Sequence, residues 1–106
     1  MAWLYLVAAG LLEVVWAIAL KKSDGLTRLG PTIVFGVAAA ASMVLLARAL
    51  KTLPVGTGYA VWTGIGAVGA ALIGIAFLGE SAGTFRVLAI GLIAVGIVLL
   101  ALVTPG

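Results

Sequence analysis

Hydrophobic residues are grouped along the chain in four long runs, and most polar and charged residues lie in the short segments between them. These runs predict helices at about residues 2–20, 31–47, 55–78 and 87–103. A helix needs about 20 apolar residues to cross the hydrocarbon core of a bilayer, and each run approaches that length. The pattern therefore predicts an all-α integral membrane protein, with residues 1–106 forming a single domain of four transmembrane helices.

The segments between the runs carry signals for helix ends. Lys21 and Lys22 end the first run, where cations suit both the helix dipole and the lipid headgroups. Pro31 lies early in the second run, a position where its missing N–H costs little. Residues 48–54 and 79–83 separate the remaining runs, so all three predicted loops are short.

The composition supports a lipid environment. Of the residues, 65% are hydrophobic and only 8% are charged, whereas about a quarter of the residues of a typical soluble protein are charged. The net charge of +3 comes from residues near the ends of the runs. This arrangement suits contact with lipid headgroups and gives no reason to expect a nucleic-acid partner. The chain has no Cys and no His, so a disulfide framework and a thiolate metal site are excluded, and proton chemistry must use carboxylates, Lys or Tyr.

Glu13 lies in the middle of the first apolar run. An ionised carboxylate at the centre of a bilayer costs several kcal/mol, so such a residue indicates a functional site. At helical spacing its neighbours are Ala9, Gly10, Trp16 and Ala17. This face combines a negative charge, a large aromatic ring and small residues that permit close approach, and we predict that it binds a cation.

The second and third runs contain further polar and aromatic candidates. Ser42 lies at a depth similar to that of Glu13 in an antiparallel hairpin, and two interpretations of its hydroxyl stay open. It bonds to its own i−4 carbonyl, as lone serines in membrane helices usually do, or it donates to the carboxylate. In the third run, Tyr59, Trp62, Thr63 and Gly66 share one helix face, and the Tyr59 hydroxyl is a second candidate to hold the carboxylate rotamer.

Small residues predict how the helices pack. Gly64 and Gly66 lie near the middle of the third run, where they indicate close packing, a hinge, or both. In the fourth run Ala89 and Gly96 are one heptad apart and therefore lie on one face, which predicts packing between chains.

The distribution of cations gives little preference for one orientation in the membrane. One side carries Lys21, Lys22, Arg28 and Arg86, and the other carries Arg48, Lys51 and the N-terminal amine. Because the excess of Lys and Arg in short loops sets orientation, four charges against three set it weakly. One chain of four helices is too small to enclose a site and alternate its exposure, so we expect an antiparallel pair.

The sequence resembles the small multidrug resistance transporters over essentially its whole length. The resemblance rests on Gly10-x-x-Glu13-Val14-x-Trp16-Ala17, Lys21-x-Ser23-x-Gly25-Leu26-Thr27-Arg28 and the stretch 53–66. Trp16, Ser42 and residues 57–66 resemble the guanidinium-exporting members, whereas the drug-exporting members usually have Gly in place of Trp16. Gly58 replaces a common Ala, and Ala89 stands where the first Gly of the family's dimer motif is expected.

The resemblance implies an antiparallel, dual-topology homodimer that exchanges its substrate for protons at a site where both copies of Glu13 meet. It also implies roles for Trp16, Ser42, Tyr59 and Trp62 around that acid. Two carboxylates that share one buried site titrate as a coupled pair.

From these observations we predict a proton-coupled antiporter of the bacterial inner membrane that exports guanidinium and small guanidinyl cations. The predicted substrate and proton site comprises Glu13, Trp16, Ser42, Tyr59, Trp62, Gly10 and Thr63. We expect no enzymatic activity, no cofactor and no metal ion. The main alternative is an exporter of quaternary ammonium and other drug cations with the same fold. A proton-conducting rotor subunit would need only a two-helix hairpin without the Tyr and Trp face, and a structural subunit would not need Glu13.

Overall fold

The computed structural model describes residues 1–104, and within them the chain forms four helices. These are α1 (Ala2–Lys22), α2 (Leu29–Ala49), α3 (Val55–Phe77) and α4 (Thr84–Val103). All four are long and apolar enough to cross a membrane, as the hydrophobic pattern predicted.

The helix ends differ from the predicted ones by a few residues. α2 begins at Leu29 rather than at Pro31, because proline is tolerated anywhere in the first turn, where no N–H has an intrahelical partner. The same helix continues through Arg48, whose charge suits the last turn. α3 ends at Phe77, one residue early, and α4 begins at Thr84, three residues before the predicted start.

The helices are arranged as a thin slab measuring 41 × 34 × 16 Å between Cα atoms. α1 is central, since it packs along α2 on one side and along α3 on the other. α4 packs against α3 and, within residues 1–104, against no other helix. None of its residues is buried, so most of its surface faces outward at one edge of the slab.

The buried core lies where α1, α2 and α3 meet. Leu6 and Val61 are its largest fully buried apolar side chains, and three alanines lie in the same cluster. The complete cluster is Ala2, Leu6, Ala9, Leu46, Ala49, Leu53, Val61 and Trp62. In lipid, helices associate through close packing and hydrogen bonds rather than through a hydrophobic effect, so small residues at the contacts are the expected solution.

The loop between α1 and α2 is organised by Ser23, which is fully buried. Its hydroxyl donates to the carbonyl of Leu20 at 2.6 Å and accepts from the amide of Leu26 at 3.0 Å. Asp24, Gly25 and Leu26 have positive φ values of 51°, 72° and 69°. Because two of these residues carry a Cβ, the left-handed turn depends on the hydrogen bonds of Ser23.

The loop between α3 and α4 is closed by an ion pair. Arg86 donates to the carboxylate of Glu80 at 2.5 Å. The Glu80 amide donates to the carbonyl of Gly74 at 3.0 Å, and the Glu80 carboxyl group lies against Gly74. Arg86 follows Glu80 at a distance along the chain that allows the two side chains to pair.

Candidate functional site

Glu13 lies near the midpoint of α1, on the side that faces α3. Its carboxyl group packs against Gly66. A Cβ at position 66 would lie 2.7 Å from Glu13 Cγ and closer still to the carboxyl atoms, so a larger residue there would overlap the acid. Gly66 therefore gives the carboxylate its place between the two helices.

One oxygen of this carboxylate is buried without a partner. Among residues 1–104, no group donates a hydrogen bond to Glu13 Oε1. A buried ionised group is costly unless it is paired or hydrogen-bonded, so this oxygen is available to bind a proton or a cation that donates N–H bonds. This unpartnered acceptor at the middle of the slab is the central feature of the site.

Trp16 lies one turn after Glu13 and contributes an aromatic wall. Its ring meets that of Phe35 of α2 edge to face, with ring centroids 5.7 Å apart and an interplanar angle of 74°. The indole Nε1–H is also buried and has no acceptor within the described residues. The same part of α1 thus presents an open acceptor and an open donor.

Ser42 joins three helices, but it does not bind Glu13 in the protomer. Trp62 Nε1–H donates to Ser42 Oγ at 3.0 Å, and the Ser42 hydroxyl donates to the carbonyl of Ala9 at 2.7 Å. Both interpretations of the hydroxyl from the sequence were wrong, because neither its own i−4 carbonyl nor the carboxylate is its acceptor. The chain Trp62–Ser42–Ala9 fixes α3 and α2 to α1 one turn before Glu13.

The two aromatic residues on the predicted face of α3 differ in how deeply they are buried. Trp62 is only 4% exposed, whereas the side chain of Tyr59 is 54% exposed, and their ring centroids are 5.4 Å apart. The Tyr59 hydroxyl makes no hydrogen bond within residues 1–104, so its predicted bond to the carboxylate is not formed in the protomer. Thr63 donates to the carbonyl of Tyr59 at 2.8 Å, which satisfies its hydroxyl within its own helix.

The predicted glycines lie at helix contacts. A Cβ at Gly10 would lie 2.7 Å from Ile65 Cγ2, so Gly10 admits α3 rather than opening a space for a ligand. A Cβ at Gly64 would lie 2.7 Å from Ile97 Cδ1 of α4. Close packing thus accounts for Gly64 and Gly66, and α3 runs through both without a break. The hinge at these two residues stays a prediction.

Ala89 and Gly96 are both exposed on α4. No atom of the protomer lies within 4 Å of a Cβ built at Gly96, among the residues that the structure describes. Their predicted role in packing between chains therefore concerns a surface that the protomer leaves open.

Sequence reasoning missed three contributors. The carbonyl of Ala9 serves as the acceptor for Ser42, Phe35 contacts Trp16, and Val14 packs on Gly69. Only Phe35, a lone aromatic residue in the second run, offered a signal in the sequence. A backbone carbonyl and a glycine contact depend on how helices are placed side by side, which no local pattern shows.

The fold and the site define a multi-pass membrane protein whose transmembrane helices hold a carboxylate with an open acceptor. Comparison with known proteins gives the family. The sequence profile described as Small Multidrug Resistance protein matches residues 1–93, and the chain belongs to this family. The predicted resemblance is thereby confirmed.

Several curated relatives are similar over nearly their full length. A "Guanidinium exporter" from Yersinia pseudotuberculosis serotype I is 63% identical over 98 residues, which cover 92% of this chain and 94% of the relative. A protein of the same name from Salmonella typhimurium is 59% identical over 98 residues, covering 92% and 93%. Another from Citrobacter freundii is 59% identical over 104 residues, covering 98% and 99%.

Proposed function

We propose that this protein exports guanidinium and small guanidinyl cations across the bacterial inner membrane in exchange for protons, by alternating access at Glu13. The observation that carries this proposal is the buried, unpartnered Oε1 of Glu13 at the middle of α1. The similarity to bacterial guanidinium exporters supports the choice of cation.

The chemistry of the site favours a planar cation with several donors. Guanidinium is weakly hydrated, and its N–H groups match the two oxygens of a carboxylate in a bidentate pair. Trp16 beside Glu13 and Tyr59 on α3, whose ring lies next to that of Trp62, offer aromatic faces, over which a desolvated cation gains about 2 kcal/mol. A cation that satisfies Oε1 removes the cost of leaving that acceptor buried and unpaired.

Proton coupling follows from competition for the same carboxylate. A protonated Glu13 has lost the charge that attracts the cation, so the site holds a proton or a cation but not both at full strength. If only a loaded site reorients across the membrane, each cation that leaves is exchanged for protons that enter. No other acidic residue lies inside a helix, since Asp24 and Glu80 are in loops, and Glu13 is therefore the proposed shared site.

The transporting unit in this proposal is an antiparallel, dual-topology homodimer that brings two copies of Glu13 together. The thin slab of one protomer cannot surround a cation on all sides. The weak imbalance of Lys and Arg between the two membrane surfaces supports insertion in both orientations. The exposed face of α4 that carries Ala89 and Gly96 is the proposed contact between protomers.

The second candidate is export of quaternary ammonium and other drug cations. The aromatic residues favour it, because cation–π attraction does not require a hydrogen bond. A quaternary ammonium donates no N–H bond, however, and leaves Oε1 unsatisfied. Trp16 also occupies space next to the acid, which leaves less room for a bulky cation.

The test is a measurement of currents in proteoliposomes under identical pH gradients, with guanidinium, a tetraalkylammonium and tetraphenylphosphonium as substrates. We expect currents with guanidinium, weak or absent currents with the bulky ions, and none with Glu13→Gln. Larger currents with the bulky ions than with guanidinium would favour the second candidate. Coupled transport by Glu13→Gln would overturn the single-site exchange for both candidates.

A further inference from the structure

A groove of about 440 Å³ lies between α1, α2 and α3, apart from the cation site. Val14, Ile18 and Ala19 line it from α1, Pro31 and Val34 line it from α2, and Ile73 contributes from α3. Along α1 it extends from Val14 to Lys22, a length of about 12 Å at 1.5 Å per residue. It runs from near mid-membrane to the surface where α1 ends.

The lining is apolar except at the outer end, where Lys22 is the one charged residue. Within residues 1–104 this lysine forms no salt bridge. It lies in the last turn of α1, at the depth of the lipid headgroups. A lysine in this position lays its hydrocarbon stem along the groove and keeps its ammonium group at the surface.

We propose that this groove binds an acyl chain of an anionic phospholipid, whose phosphate pairs with Lys22. The apolar lining offers no partner for a polar ligand, which would lose its hydrogen bonds there. Val15 and Val34, at the sides, are 46% and 48% exposed, so the groove opens toward the surrounding lipid. A basic residue at the mouth of a pocket between transmembrane helices is a recurring site for anionic headgroups.

The charge at the mouth of the groove distinguishes this occupant from a helix of a second copy. The one acidic residue within the helices is Glu13, near the middle of α1, so a helix of a second copy brings no anion to the depth of Lys22. An extended hydrocarbon chain is narrow enough to lie along it, with its headgroup at Lys22.

The first test counts lipids that stay bound when the protein is released from nanodiscs into a native mass spectrometer. The nanodiscs contain phosphatidylcholine and phosphatidylglycerol at about 4:1, with chains of equal length, so that only the headgroup differs. We expect phosphatidylglycerol to be retained preferentially. Lys22→Gln should reduce that preference about fivefold, the loss expected for one lysine contact. Lys21→Gln is the matched control, because Lys21 does not line the groove, and it should change little.

A second pair of variants tests the groove itself. Val34→Phe fills it from α2, whereas Ile33→Phe places the same aromatic side chain at a neighbouring exposed position that does not line it. Val34→Phe should reduce retention of both lipids, and Ile33→Phe should not. Equal effects of Lys22→Gln and Lys21→Gln would overturn the proposal. A lower dimer fraction for Val34→Phe, with lipid retention unchanged, would also overturn it and assign the groove to a second copy.

Discussion

The carboxyl group of Glu13 lies against Gly66 of α3, and any side chain at position 66 would overlap the acid. The two helices thus approach each other through the residue proposed to bind the cation. A small shift between α1 and α3 must therefore move the carboxylate relative to Tyr59 and Trp62 of α3. This relationship makes Gly66 a test of how tightly the position of the acid controls transport.

Gly66→Ala should weaken guanidinium binding by about tenfold or more, which corresponds to about 1.4 kcal/mol. Binding measured by calorimetry in detergent checks it. Gly36→Ala is the matched control, since no atom of the described residues lies within 4 Å of its added Cβ. Equal affinities for the two variants would show that α1 and α3 adjust freely.

Ser42→Ala should destabilise the protein by about 1–3 kcal/mol, because Trp62 Nε1–H then lies buried without an acceptor. Trp62→Phe removes the donor itself. The double variant should therefore be less destabilised than the sum of the two single variants, with a coupling of at least about 0.5 kcal/mol. Reversible unfolding in mixed micelles measures these free energies. Strict additivity would mean that the bond between Trp62 and Ser42 contributes nothing to stability.

The apparent dissociation constant for guanidinium should rise as the pH falls. Protonation of Glu13 removes the charged form that binds the cation, so the loss approaches about tenfold per pH unit for each proton displaced. At higher pH the affinity should reach a plateau. Titrations over a range of pH check this profile, and Glu80→Gln should retain it because Glu80 is paired with Arg86 in a loop. An affinity that does not change with pH would remove the basis for proton exchange.

Trp16→Gly should shift selectivity toward bulky cations by about tenfold, since a large ring beside Glu13 is replaced by open space. Trp16→Phe keeps an aromatic wall, although a smaller one, and removes the buried Nε1–H that has no acceptor within residues 1–104. It should therefore retain the preference for guanidinium. The ratio of currents with guanidinium to those with tetraphenylphosphonium measures both variants. Equal selectivity in the two would separate substrate choice from the size of residue 16.

Gly96→Leu should reduce the fraction of dimers several-fold without affecting the protomer. A Cβ at Gly96 meets no atom of residues 1–104 within 4 Å, so the protomer has room for the new side chain. Close approach of a second α4 depends on a small residue there. Single-molecule counting of subunits in vesicles checks the result. Gly91→Leu is the control, because Gly91 is equally open but lies away from the face of Ala89 and Gly96. The same dimer fraction in both variants would exclude this face as the contact.

The sequence by itself determined the class of structure, the four helices and the central acid. These features depend on local composition: an apolar run long enough to span lipid must form a helix, because its backbone polar groups have no other partners there. An acid inside such a run is visible without any structure. The family followed from short motifs around Glu13 and along α3.

Only the tertiary structure decided which groups meet. It placed Ser42 on the carbonyl of Ala9 rather than on Glu13, and it paired Glu80 with Arg86. It also set Gly66 against the carboxyl group of Glu13. Such contacts depend on the rotation and depth of one helix against another, which are set by the packing of many side chains at once. A hydrophobic pattern specifies that a helix crosses the membrane, but it does not specify which partner each polar atom finds there.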